Sequence, residues 1–430
     1  MDAKKKKEHV DIDYTFERVP ESGRKGFWPM FVIMLGFTFF SASMWTGVSL
    51  ADGLDLTGFL LAVFLGGAVL AVYTGFLGYV GAKTGLNFDL LCHRVFGSKG
   101  SCLPSLMISL TQIGWTGVGF AMFAYPMCEV FGWQGNGMLW LMNIIIGIAI
   151  TTSAYFGVKG LEIVSWVSVP LIAILGGYAM IKAISEGGGM AAIFAKSSGG
   201  LTVVEGMGLV IGSFVSGGTA TPNFTRFSKL KPAVWTTVIA FFIGNTLMFF
   251  FGGTAGAFTG KNDIFYVMAE MGLMLPAILV LGANIWTTND NGLYTGALGL
   301  SNISAALGHP IRKRPMVIFS GIIAIVTAIW LYNNFCNWLN ILNCTLPPIG
   351  ALIVVDFFRR QDYYMKDNVK IAKVNWNAII AEVLGSLTGM LFGGYLIPSF
   401  KWGVPSIFAM IVALAVYFAT LKTGKKEAEA

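Results

Sequence analysis

The stretch NIWTTNDN, residues 284–291, sets six polar side chains among eight, between the apolar runs LMLPAILVLGA and GLYTGALGL. On a helix, Asn284, Thr287, Thr288 and Asn291 fall at i, i+3, i+4 and i+7 and share one face. That face offers two neighbouring hydroxyls, two amides and a backbone carbonyl where the threonines crowd the helical ladder. Neutral oxygens of this kind suit a hard monovalent cation, whose lost hydration shell must be replaced by dipoles. Threonines in membrane helices also bond their own i−4 carbonyls, and asparagines bond neighbouring helices. That explains one threonine; six polar residues in eight point to a site. Asp290 lies about 120° around the helix from Asn284. It is either a proton-accepting coupling group, since intramembrane carboxylates mark ion and proton paths, or a structural partner of Asn289 and Asn291.

A second constellation is TQIGWTGVGF, residues 111–120. Gln112 and Trp115 are three apart and share a face, with Thr116 and Gly119 leaving room beside them. An aromatic plane plus a primary amide can hold a flat heterocycle, the ring stacking while the amide donates and accepts at its edge. Phe214, flanked by Ser213 and Ser216, supplies a second aromatic surface.

The elements that carry these residues are membrane helices. Of the 430 residues 55% are hydrophobic and 12% charged, with mean hydropathy +0.70, about half the charge of an ordinary soluble domain. Apolar runs of roughly 20 residues, each long enough to cross a bilayer, recur twelve times. They fall near 27–51, 57–82, 101–131, 136–156, 160–184, 204–225, 232–258, 273–301, 315–332, 335–358, 374–396 and 402–421. With both termini cytoplasmic, all of the 29 Lys and Arg except Lys182, Lys196, Lys261 and Lys401 lie in inside segments. This asymmetry fits the positive-inside rule and explains the net charge of +7 without a nucleic-acid partner. The five cysteines, Cys92, Cys102, Cys128, Cys336 and Cys344, form no CxxC pair and read as buried small hydrophobes. The polar N-terminus is too long for a signal peptide and reads as a cytoplasmic tail, residues 1–26.

Two spans invite a break in their helices. The first has Gly36, Ser41, Ser43 and Gly47 around its middle; the sixth has Gly212, Gly217, Gly218 and Pro222. Irregular backbone inside a bilayer occurs only where it lines a cavity or is covered by protein. Spans one and six hold equivalent places in two five-span halves, which an odd span number makes inverted. Corresponding interruptions in inverted halves point to a secondary transporter with a midplane site. The expected fold class is therefore an all-α integral membrane protein of twelve helices. It comprises a first repeat (27–184), a second inverted repeat (204–358), helices eleven and twelve (374–421), and a short cytoplasmic tail (422–430).

The segments FTFFSASMWTG, GYVGAKTGL, QIGWTGVGFAMFA, NIWTTNDN and AIWLYNNF together resemble the nucleobase–cation symporter family, from about Gly23 to the end of span twelve. The resemblance implies the ten-helix inverted-repeat fold with two added C-terminal helices. It also implies sodium-coupled import of a nucleobase, with cytosine as the expected base. Carried onto this chain, the sodium ligands are the carbonyls of Gly36, Phe39 and Asn284 and the hydroxyls of Thr287 and Thr288. Trp115 and Phe214 stack the base, and Gln112, Ser213, Ser216, Ser41 and Asn289 read its edge. Phe214 stands where hydantoin carriers of the family have an indole, so the choice of base rests on the motifs quoted. Function as a monomer in the bacterial inner membrane is expected.

Other classes fit less well. His9, His93 and His309 all lie in expected cytoplasmic segments, and no HExxH, GxSxG or phosphate loop occurs, which argues against an enzyme. A channel needs repeated pore loops or charge rings. Interruptions in spans one and six favour five plus five spans over six plus six. Proton coupling through Asp290 is the rival to sodium.

Overall fold

The computed structural model describes residues 13–261, 264–334, 341, 344–367 and 369–423. Cys336 and most of 335–346 lie outside the described residues; the other four cysteines are free. The chain is helical. It begins with α1 (Phe27–Thr38), α2 (Ser41–Gly53), α3 (Leu56–Thr84) and α4 (Phe88–Phe96), followed by α5 (Cys102–Val130), α6 (Asn136–Tyr155) and α7 (Val158–Glu186). Next come α8 (Met190–Phe194), α9 (Val203–Thr219), α10 (Pro222–Thr225), α11 (Leu230–Ile239) and α12 (Asn245–Thr259). Then follow α13 (Ile264–Glu270), α14 (Met274–Ala306) and α15 (Lys313–Asn333), and helices at Pro347–Arg359, Gln361–Met365, Trp376–Phe392 and Pro405–Thr423.

Sequence punctuation sets the boundaries. The Asp55 side chain accepts the Gly58 amide to start α3, which ends on left-handed Gly85. Thr202 and Glu205 form a reciprocal capping box at α9. Among the described residues seven helical spans are long and apolar enough to cross a membrane, and α1–α2 makes an eighth if the bent pair is one span. The helix α14 is 33 residues long, about 50 Å at 1.5 Å per residue, but NIWTTNDN makes it less apolar. It packs against α5, α7, α15 and α6, and every residue from Thr287 to Gly299 is buried. Enclosure by other helices lets a polar stretch sit at bilayer depth.

Span one breaks as expected. Phe39 and Phe40 leave helical geometry (φ −78°, ψ 83° and φ −126°, ψ 134°), and α1 and α2 meet at 53°. The second half, α2, lies directly on α12: a Cβ on Gly252 would stand 1.9 Å from the Met44 carbonyl oxygen, so only glycine permits this approach. Opposite the break, span seven widens into a π-helical turn at Ala240–Gly244, joining α11 to α12.

Span six differs from expectation. The helix continues through Gly212, Gly217 and Gly218 to Thr219, and the interruption is confined to Ala220–Thr221. Pro222 has no N–H to donate and its ring crowds the carbonyl four residues back, which places the discontinuity next to proline rather than at the glycines.

Residues 13–26, expected as free tail, form a strap across the basic end of the bundle. The Asp13 carboxylate pairs with Lys313 at 2.7 Å, both almost fully buried. Fully buried Arg226 donates to the carbonyls of Asp13 and Tyr14 and to the Tyr294 hydroxyl. Lys25 pairs with Glu162, and Arg18 with Asp367. These bonds, with those from Arg94 to the Tyr363 and Lys366 carbonyls, gather the expected inside segments at one end of the molecule.

Candidate functional site

Two adjoining sub-sites form where the break of span one faces the middle of α14. At the first, the Thr288 hydroxyl lies 3.0 Å from the Phe39 carbonyl oxygen and 3.4 Å from that of Gly36. The break frees these carbonyls, because the residues that would donate to them are no longer in helical register. The Thr287 hydroxyl meets that of Ser165, from α7, at 3.1 Å. A Cβ on Gly36 would stand 2.5 Å from both hydroxyl oxygens, so glycine is what lets α1, α7 and α14 converge. Asn284 is fully buried, and its side-chain oxygen accepts from Ser41 at 2.7 Å. The structure thus brings together Gly36, Phe39, Asn284, Thr287 and Thr288, a group of neutral oxygens of the type that replaces a cation's hydration shell.

The second sub-site is a cavity lined by Phe37, Phe40, Gln112, Trp115, Thr116, Ser213, Phe214, Ser216, Thr288, Asn289 and neighbouring glycines. Its free core is about 20 Å³, space for roughly one water. All the expected base-reading residues are on its wall except Ser41, whose hydroxyl is engaged with Asn284 on the ion side. Gly119 makes room for Asn289, since a Cβ there would lie 2.1 Å from the amide nitrogen. The amide nitrogens of Gln112 and Asn289 are buried with no acceptor among the described residues. A donor left so costs about 1–3 kcal/mol unless something accepts from it.

Phe40 was not foreseen as a site residue. Its ring packs edge-on against both expected stacking partners, with centroids 5.3 Å from Trp115 at 74° and 6.5 Å from Phe214 at 87°. Phe37, also on the cavity wall, and Phe241 edge onto Phe214. Ser165 was missed as well; nothing in the local pattern of span five marks it, and only the crossing of three helices does.

Asp290 faces away from both sub-sites, as its helical angle requires. One carboxylate oxygen accepts from Ser153 at 3.2 Å and the other from Asn291 at 3.3 Å, while Trp286 donates to Ser153. Asn291 also donates to the Thr287 carbonyl, so it serves the interior of α14 rather than the ion face. Of the two asparagines expected to satisfy Asp290, Asn291 does so and Asn289 lines the cavity.

Comparison with known proteins bears on the family and the fold. Residues 18–418 match the family of permeases for cytosine/purines, uracil, thiamine and allantoin. The cytosine permease of Escherichia coli (strain K12) is 45% identical over 382 residues, covering 88% of this chain and 89% of that protein. The hydantoin permease of Microbacterium maritypicum is 21% identical over 401 residues, 84% and 79% of the two chains. Among solved structures, Mhp1, a nucleobase–cation symport-1 family transporter in a closed conformation with bromovinylhydantoin bound, superposes with TM-score 0.77 at 17% identity over 94% of both chains. A Na⁺-coupled sialic acid symporter in a substrate-bound outward-open state gives TM-score 0.71 at 14% identity, over 93% of this chain and 90% of that one. Those two likenesses establish the fold. The matched family and the shared fold make this chain a multi-pass membrane transporter rather than an enzyme, and it belongs to the cytosine/purine, uracil, thiamine and allantoin permease family.

Proposed function

We propose that the protein imports cytosine by sodium symport through alternating access. The observation that carries this is Thr288, which borders both sub-sites: its hydroxyl reaches the Gly36 and Phe39 carbonyls, and its side chain lines the aromatic cavity. In this reading sodium is held by the carbonyls of Gly36, Phe39 and Asn284 and the hydroxyls of Thr287 and Thr288. A cation there replaces the hydrogen bond that Thr288 now donates, the hydroxyl rotating so that it keeps its proton and turns its lone pairs inward. Fixing the Phe39 carbonyl also fixes the start of Phe40, the next residue along an extended backbone. The Phe40 ring then leaves the space between Trp115 and Phe214, and the base stacks there. Gln112 and Asn289 donate to its ring nitrogen and carbonyl, with Ser213 and Ser216 beside them. Sodium and base favour each other's binding by equal factors. The same reading takes twelve spans in two inverted repeats, both termini in the cytoplasm of a bacterial inner membrane, and a monomeric unit.

A second reading is supported by Asp290, a buried carboxylate whose oxygens meet the neutral donors Ser153 and Asn291. It would make the importer proton-coupled. Uptake of labelled cytosine into proteoliposomes separates the two. Uptake driven by an imposed sodium gradient and retained in Asp290→Asn supports sodium symport. Uptake driven by a proton gradient and lost in that variant moves coupling to Asp290. No cytosine uptake under either gradient rejects the substrate.

A further inference from the structure

Away from the transport path, α6 and α15 diverge on the lipid-facing side of the bundle. They touch at two points: a Cβ on Gly321 would stand 2.4 Å from the Thr151 hydroxyl, and one on Gly147 2.4 Å from Ile325. At the basic end they are pinned again, where the Lys313 ammonium lies 3.3 and 3.4 Å from the Ala154 and Tyr155 carbonyls at the end of α6. A groove of about 350 Å³ is held open here, lined by Ile148, Thr152, Phe156, Ile318, Ile322 and the Tyr155 ring. Ile148 and Phe156 are each 60% exposed and Ile322 is 55% exposed, so the groove opens outward to the bilayer.

Its length matches one leaflet. Ile148 is seven residues above Tyr155, and Ile325 is eleven beyond Arg314, so the groove extends roughly 10–16 Å from the basic end. Half of a hydrocarbon core is about 15 Å. Its mouth is cationic: the Arg314 guanidinium sits 5.3 Å from the Tyr155 ring centroid and makes no ion pair among the described residues. Lys159, exposed three residues beyond Phe156, also has no carboxylate partner among them. The nearby carboxylates Asp13 and Glu162 are engaged by Lys313 and Lys25. Lys313 also neutralises the carbonyl end of α6, which would otherwise repel an anion.

We propose that this groove binds an anionic phospholipid of the leaflet at the basic end, one acyl chain between α6 and α15 and the phosphate on Arg314 and Lys159. Basic pockets between membrane helices on the cytoplasmic side recognise acidic head groups by this chemistry. The inference uses the membrane orientation but neither the identity of the base nor that of the ion.

The test is thermal unfolding of the purified full-length protein in neutral detergent, titrated with phosphatidylglycerol or with phosphatidylcholine. Phosphatidylglycerol is expected to raise the midpoint at lower concentration than phosphatidylcholine. The double variant Arg314→Gln/Lys159→Gln should lose that preference by roughly thirtyfold while its lipid-free midpoint stays unchanged. Ile322→Trp, which fills an exposed part of the groove, should weaken the response to phosphatidylglycerol with the charges intact. Equal response to the two lipids, or an unchanged preference in the double variant, overturns the proposal. So does disulfide-linked dimer formation by Ile322→Cys in membranes, which would assign the groove to a second copy of this chain.

Discussion

Replacing Thr288 with valine removes one hydroxyl and keeps the side chain's shape. In the proposed sodium-bound state that hydroxyl is one of five oxygens around a charge, and hydrogen bonds or contacts to charged groups contribute about 1.5–3 kcal/mol. Without sodium, the same hydroxyl stabilises the break through its bond to the Phe39 carbonyl at 3.0 Å, an interaction of roughly 0.5–1.5 kcal/mol. The substitution removes both, so the net loss of ion affinity is the difference, about 1–2 kcal/mol. The sodium concentration for half-maximal cytosine uptake should therefore rise roughly five- to thirtyfold. Measured in proteoliposomes across a sodium series, Thr288→Ser should stay within about threefold of the parent, since it restores the oxygen. If Thr288→Val leaves the sodium dependence unchanged while the protein remains folded, the cation is not bound at this face.

Three further outcomes follow from other parts of the structure. Phe40→Ala vacates the space between Trp115 and Phe214, so cytosine binding measured by calorimetry should lose most of its dependence on sodium; a dependence as steep as the parent's would show that Phe40 does not gate the base. Gly119→Ala places a Cβ against the Asn289 amide, and equilibrium binding should show roughly five- to 150-fold weaker cytosine affinity, given the 1–3 kcal/mol of a misplaced buried polar contact. Asp89, in the segment between spans two and three, has its carboxyl pushed up to about 6 by burial, against the opposing Ser105 hydroxyl and Arg226 charge. Because the folded state holds this proton more tightly than the unfolded one, this group's contribution to stability is full below the usual carboxylate range and is lost as pH rises through about 6. Asp89→Asn should flatten thermal midpoints across that interval, and an identical pH profile would rule the group out.

Much of this site could be read from the chain because helical periodicity fixes which residues share a face. Asn284, Thr287 and Thr288 needed only their spacing, and Gln112 and Trp115 likewise. The break in span one was legible from small residues; in span six the interruption falls beside Pro222, one of the four residues that suggested it, and not at the glycines. Glycines allow close packing without ending a helix, and Pro222 governed the interruption there. Phe40 and Ser165 were hidden because their roles arise from where three helices cross, which no local pattern encodes. Ser41, expected beside the base, instead bonds Asn284, because residues one turn apart at a bend face different neighbours. The strap at residues 13–26 looked like tail because its charges are visible in sequence and their partners, hundreds of positions away, are not.

Those partners give the strap an asymmetric energetics. A buried ion pair such as Asp13–Lys313 adds little net stability over a well-packed apolar pair, yet removing one member strands the other at about 3–5 kcal/mol. Lys313 also caps α6 and lies against the Tyr294 ring, so it cannot turn to water without abandoning both contacts. A chain shortened past Tyr14 would leave the buried Lys313 ammonium without its carboxylate, and Arg226 would lose two of its carbonyl acceptors. Losing one end of this lock is therefore costlier than exchanging both for apolar groups together.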